Sequence, residues 1–110
     1  MKRTPVNRIS KKRAAQLADY HSLIVKLRLL CYNRSELSGE MADWQTDWFV
    51  EPHHIGGRIG KKFLDPYNII LVTRHEHDIE EGKVKGVKVG EEELYRIVRA
   101  IRIGQGFEEV

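Results

Sequence analysis

Glu51-Pro52-His53-His54-Ile55, Asp65-Pro66-Tyr67-Asn68-Ile69-Ile70-Leu71-Val72 and Thr73-Arg74-His75-Glu76-His77-Asp78-Ile79 are the stretches on which the fold turns. The first ends a run from Trp48 to Ile55 whose bulky and aromatic content predicts a short strand. Pro52 keeps that strand from being a fully paired central one. Ile69 to Val72 predicts a second short strand. Thr73 is placed to cap a helix that runs to a stop near Gly82. Between the strands, Gly56, Gly57 and Gly60 alternate with Arg58, Lys61 and Lys62, which predicts a flexible basic loop. The unit is strand, basic loop, strand, helix. It places His53 and His54 on the first strand, Asn68 at the start of the second and His77 on the helix.

Working outward, Ser10 is a plausible N-cap for a helix over 10–31. Its apolar positions Ala14, Leu17, Ala18, Ile24, Leu27 and Cys31 recur at helical spacing, with His21 on the same side. Residues 1–9 show no period and predict a flexible basic arm. Residues 32–43 are polar and predict a loop or knuckle, and Lys83 to Gly90 predicts an extended connection. A last helix over 91–103 carries three glutamates in its first turn and gathers Leu94, Ile97, Val98 and Ile101 on one face. The expected class is α+β, one domain over 1–110, with a basic N-terminal helix and an amphipathic C-terminal helix around the central unit at 48–82.

The 110 residues carry 19 Lys+Arg against 16 Asp+Glu, a net charge of +3. Charge is unevenly placed: residues 1–30 hold eight basic side chains and a single acid, Asp19. That asymmetry points to a polyanion partner, nucleic acid first, although a solvated helix face would look the same. No apolar run approaches the ~18 to 20 residues of a membrane span, and Met1-Lys2-Arg3-Thr4-Pro5 lacks the apolar stretch of a secretory signal. A cytoplasmic protein with no membrane partner is expected. Cys31 is the sole cysteine, which excludes an internal disulfide and a zinc site built from paired cysteines.

A His-His pair at a strand end is incidental when it stands alone. Here Asn68 follows His54 by fourteen residues and His77 follows Asn68 by nine, on the elements expected of them. In this the chain resembles the HNH, or ββα-metal, nuclease family, and the resemblance spans Glu51 to Gly82. Small phage-encoded HNH proteins are the most similar in layout, since they too place a basic helix before the motif and a short helix after it. The resemblance implies a metal-dependent endonuclease acting on DNA. A phage-encoded member would work in the host cytoplasm, with packaging or recombination proteins as candidate partners.

Hydrolysing a phosphodiester needs an activated water, charge neutralisation on the phosphate and a stabilised leaving oxygen. Alternation along the strand sends His53 and His54 to opposite sides. By resemblance His53 is a metal ligand, His54 the general base, Asn68 the residue that holds His54 in position and His77 a second ligand. Where members with a further ligand carry a second His one helical turn on, this chain has Glu81, which offers either a ligand or a surface charge. Imidazole ligation favours Mn, Ni, Co or Zn in affinity, whereas Mg prefers oxygen. One such divalent ion is expected. With an unperturbed histidine base, activity should fall as pH drops through roughly 6.5.

Arg58, Lys61 and Lys62 in the loop and Lys11, Lys12 and Arg13 at the helix start are the candidate DNA contacts, with ordinary surface charge as the alternative. His75 should point away from His77 towards DNA or solvent, and Trp44 and Trp48 should be core. One departure from the family concerns its structural zinc, held by four cysteines in many members. Ser35, Ser38, Thr73 and Glu76 stand at the corresponding positions, so no structural zinc is expected and the knuckle should be held by packing, with Trp44 and Leu37 inside. Two other functions fit the same residues: a non-catalytic DNA-binding module, and a nuclease for RNA or branched DNA.

Overall fold

Two four-residue strands, β1 (Glu51–His54) and β2 (Ile69–Val72), pair antiparallel with Glu51 opposite Val72 and His54 opposite Ile69. A lone two-stranded hairpin is marginal in water. This one is sandwiched between helices, and all four β2 side chains are buried. The computed structural model describes residues 11–42 and 49–108. The expectations for the 1–9 arm, the Ser10 cap, Trp44 and Trp48 lie outside those residues.

The period of two along β2 assigns its faces. Ile69 and Leu71 meet α1 (Lys11–Leu30) through Ile24 and Leu27, joined by Ala42 and Val50. Ile70 and Val72 meet α3 (Glu91–Gly104) through Leu94 and Val98, joined by Ile55. Between β2 and α3 stands α2 (Arg74–Glu80). It is started by a capping box in which Thr73 Oγ1 accepts from Glu76 N–H and Glu76 Oε1 accepts from Thr73 N–H at 2.9 Å. The architecture is α+β: a ββα core, a basic N-terminal helix and an amphipathic C-terminal helix. No described helix is long and apolar enough to cross a membrane.

Several expectations need correction. The first strand starts at Glu51 rather than Trp48, because side chains claim the backbone of Val50. Asn33 Oδ1 accepts from Val50 N–H, and Arg28 Nε donates to Val50 O at 3.0 Å. The working face of α1 is Tyr20, Leu23, Ile24, Leu27 and Cys31, whereas Ala14, Ala18 and His21 are exposed. Only the second half of the helix lies over the hairpin core. On α3 the buried stripe is Leu94, Val98 and Arg102, an i, i+4, i+8 row into which an arginine is drawn.

Arg102 is fully buried, and its guanidinium meets Glu36 on two edges, Nη1 to Oε2 at 2.5 Å and Nη2 to Oε1 at 2.6 Å. It also donates to the carbonyls of Pro66 and Ile69. Glu36 in turn accepts from Leu71 N–H and donates its own N–H to Leu71 O. One ion pair therefore ties the knuckle, β2 and α3 together.

The knuckle is held by polar contacts as well as by packing. Tyr32 and Asn33 adopt positive φ to turn the chain out of α1, and Arg34 bridges to Met41. Ser35 Oγ donates to Glu76 Oε1 at 2.6 Å and accepts from the N–H groups of Leu37 and Ser38. Leu37 packs against the α3-side core. The Glu76 carboxylate is held below the usual range by hydrogen bonds from Ser35, Ser38 and Thr73, which outweigh its burial.

Candidate metal centre

Glu51 and His53 project from one side of β1 and His54 from the other, because side chains alternate along the strand. Directly paired residues share a face, so His53, opposite Ile70, looks towards α2, and His54, opposite Ile69, looks towards α1. The rings follow this assignment. His53 lies edge-on to His77 with centroids 5.1 Å apart, and His54 stacks with Tyr20 at 5.5 Å.

Among the described residues, one group of side chains could hold a metal ion: His53, His77 and Glu81, each offering a ligand atom within 4.8 Å of the others. His77 Nδ1 is 3.1 Å from Glu51 Oε2. A carboxylate only accepts, so in the tautomer in which Nδ1 donates to Glu51, Nε2 is the nitrogen left for coordination. Nε2 faces Glu81 Oε1 at 2.8 Å. His53 Nδ1 is buried without a hydrogen-bond partner. An orphaned imidazole nitrogen, an oriented second imidazole and a carboxylate make a donor set suited to a divalent ion.

Electrostatics favour the coordinating forms. Burial, with His77 alongside, lowers the His53 pKa and keeps its ring neutral. The hydrogen bond from Lys83, with help from His77, holds Glu81 below the usual carboxylate range. Glu51 completes the centre as the acceptor that fixes the His77 tautomer, and Arg74 Nη2 steadies its other oxygen at 3.0 Å. The residue-by-residue reading of the sequence assigned Glu51 no such part, although its place two residues before His53 on a strand puts both on one face. We expect Glu51→Gln to weaken Mn binding roughly 10- to 100-fold, the usual effect of losing a carboxylate behind a ligating histidine. Titration calorimetry checks this, and wild-type affinity would mean that His77 needs no such support.

His54 occupies a different environment. It is buried, and neither ring nitrogen has a hydrogen-bond partner. Tyr20 from α1 and Phe63 cover it, these two rings stacking 4.5 Å apart, and the Arg13 guanidinium lies 4.4 Å from the Phe63 ring centre. Burial, reinforced by Arg58 and then by His53 and His77, pushes the His54 pKa down to about 4. In the substrate-free protein this imidazole therefore titrates below its ordinary value near 6.5.

The same shift makes a prediction for stability. Between pH 6.5 and about 4 the unfolded chain protonates His54 while the folded chain does not, so the unfolded state binds more protons and stability rises with pH across that window. In chelator, the urea midpoint should fall as pH is lowered from 6.5 to 4.5, and fall less in His54→Phe. Parallel curves would show that burial of this ring is not coupled to its protonation.

Asn68 was expected to hold His54. Its side chain instead bonds to the loop that follows β1 and to α3: Oδ1 accepts from Gly56 N–H at 2.7 Å and from the Tyr95 hydroxyl of α3 at 3.0 Å, while Nδ2 donates to Gly57 O and Lys62 O. Any influence on His54 therefore passes through the backbone of residues 55–62. A Cβ on Gly56 would lie 2.2 Å from the Tyr95 hydroxyl oxygen, so this close approach requires glycine.

The expected DNA contacts fall partly together. Lys12, Arg13 and Gln16 of α1 line a cleft of about 410 Å³ with Arg58, Ile59 and Gly60. An adjoining cleft of about 620 Å³ adds Lys61, Leu64, Asp65 and Pro66. Lys11 is exposed outside both, and Lys62 Nζ is turned back onto Gly56 O at 3.1 Å. His75 is exposed, lies between the two residues of the Thr73–Glu76 box and is not a member of the ligand cluster. Comparison with protein-family models, with curated proteins and with solved structures finds no match to this chain. The ββα fold and the His-His-Glu cluster together suit metal-dependent, nuclease-like chemistry.

Proposed function

We propose that this chain is a metal-dependent endonuclease of the HNH type that hydrolyses DNA phosphodiester bonds. The observation that carries the reading is the convergence of His53, His77 and Glu81 at one point, with His54 on the next position of the same strand. His53, His77 Nε2 and Glu81 would hold one divalent ion. When bound, that ion supplies charge neutralisation at the scissile phosphate. Glu51 holds the proton on His77 Nδ1 and so keeps Nε2 directed at the site.

His54 is the candidate base. With both nitrogens free of hydrogen bonds, its ring has a lone pair to offer to a water proton. Both nitrogens are covered by the α1 side, so Tyr20 must give way when substrate arrives. Exposure to water and the approach of a phosphate anion both favour the imidazolium, so the ring becomes a stronger base once the substrate is seated. Asn68 keeps the loop after His54 in place, and Lys12, Arg13, Arg58 and Lys61 line the groove along which a phosphate backbone would run.

The substrate class is tested by presenting end-labelled duplex DNA, duplex RNA and a four-way DNA junction to the protein with Mn. Cleavage of duplex DNA at least as fast as of the others supports the reading. Cleavage of RNA or of the junction alone would replace it with a nuclease of that specificity, and DNA binding without cleavage of any substrate would leave a binding module.

A further inference from the structure

Beyond α2 the chain enters Lys83-Val84-Lys85-Gly86-Val87-Lys88, a segment with three lysines and no acid. The sequence predicts only an extended connection here, and the segment is in fact folded back on α2. Gly82 turns the chain with φ +79°, and Lys83 N–H donates to Asp78 O at 2.8 Å. Gly86 lies flush on Ile79, where a Cβ would come within 2.7 Å of its side chain. The Glu80 carboxylate latches the far end by accepting from Val89 N–H at 2.7 Å and Gly90 N–H at 3.3 Å. The consequence is positional: Lys83 Nζ sits 3.1 Å from Glu81 Oε2, on the carboxylate of the ligand cluster.

Stability does not explain this placement. Lys83 is 67% exposed and Glu81 37%, and pairs of that kind contribute ~0 to 1 kcal/mol. Val87, at the tip between Gly86 and Lys88, is 92% exposed. A loop pinned at three points, yet presenting only cations and an apolar tip, is shaped to meet something anionic with an apolar component. Of the acids that flank the loop, Glu80 and Glu81 before it are engaged by the latch and by Lys83, and Glu91 to Glu93 after it begin α3, with Glu93 paired to Arg96.

The geometry points to the Lys83–Lys88 loop as a second duplex-DNA-binding element, in which Lys83 holds the phosphate at the metal centre while Lys85 and Lys88 grip the flanking backbone. It rests on the nuclease reading for the part played by Lys83. Were an ion held at the cluster by Glu81, Lys83, which lies on the Glu81 oxygen turned away from His77, would stand beside it and could neutralise a phosphate there.

The test has two arms. In the first, the affinity of a short DNA duplex is measured by fluorescence anisotropy across a salt series with Mn, in a His54→Ala background so that no strand is cut. Replacing Lys83, Lys85 and Lys88 with Gln should reduce the slope of log affinity against log salt by about 0.9 for each phosphate that is no longer neutralised, roughly 2.7 in all. In the second, plasmid nicking is followed over a series of DNA concentrations at saturating Mn. Lys83→Gln should slow it on the order of 100-fold, the scale of losing one group that stabilises transition-state charge. The Lys85→Gln, Lys88→Gln pair should act on KM far more than on kcat. An unchanged salt slope in the triple variant overturns the proposal, and so does wild-type kcat in Lys83→Gln. A reduced slope in a protein whose wild type cuts nothing would sustain the loop as a DNA-binding element while removing the nuclease reading. Intact cleavage with an unchanged slope would remove the loop alone.

Discussion

His54→Ala should reduce the initial rate of DNA cleavage by on the order of 100- to 10,000-fold, the usual range for loss of a general base. It should leave Mn binding close to wild type, because the ligand cluster of His53, His77 and Glu81 does not include His54. The two measurements together separate a base from a ligand. Loss of cleavage with intact calorimetric binding is the expected pair. Wild-type nicking by the purified variant would show that some other group takes the proton. Tyr20→Ala serves as the companion variant, since it uncovers the ring that Tyr20 stacks on and leaves the imidazole itself in place. It should retain cleavage where His54→Ala does not.

The largest effect on folding is expected at Arg102. Its guanidinium is fully buried and forms the two-edged pair with Glu36, itself 2% exposed at the side chain. Arg102→Ala leaves that carboxylate uncompensated in the interior, and removing one partner of a buried pair costs about 3 to 5 kcal/mol. Replacing both residues together with apolar side chains of similar volume should recover much of the loss, since the pair must overcome the desolvation of both charges. Urea denaturation of Arg102→Ala and of Glu36→Leu, Arg102→Met checks both statements. A loss below about 1 kcal/mol in the single variant would mean that water reaches Glu36 and the pair behaves as a surface contact.

Local signals in the sequence were legible where the physics is local. Period two along residues 51–54 and 69–72 and the Thr73 cap place the histidines on the right elements, while Asn68, expected at the start of the second strand, ends the short 3₁₀ turn Pro66–Asn68 just before it. The same period, taken two residues further back, would have put Glu51 beside His53. What the sequence did not disclose depends on contacts across the chain. Glu36 and Arg102 meet over 66 residues, and although helical spacing puts Arg102 in line with Leu94 and Val98, nothing local names its partner. Tyr20 covers His54 because α1 packs on that face of the hairpin, and the drop of the His54 pKa to about 4 follows from the cover. Asn68 shows a subtler gap: the amide was recognised as a positioning group, but its bonds go to the backbone of the loop rather than to the imidazole.

An ion at His53, His77 and Glu81 and a proton taken by His54 are the two halves of the proposed chemistry. The most direct test is supercoiled plasmid incubated with the protein and Mn, Mg, Ni, Co or Zn in turn, with a chelator control and His54→Ala in parallel. Nicked or linear product with at least one ion, none with chelator and none beyond background with His54→Ala is the predicted result. Cleavage that persists in chelator, or equal cleavage by His54→Ala, would contradict it.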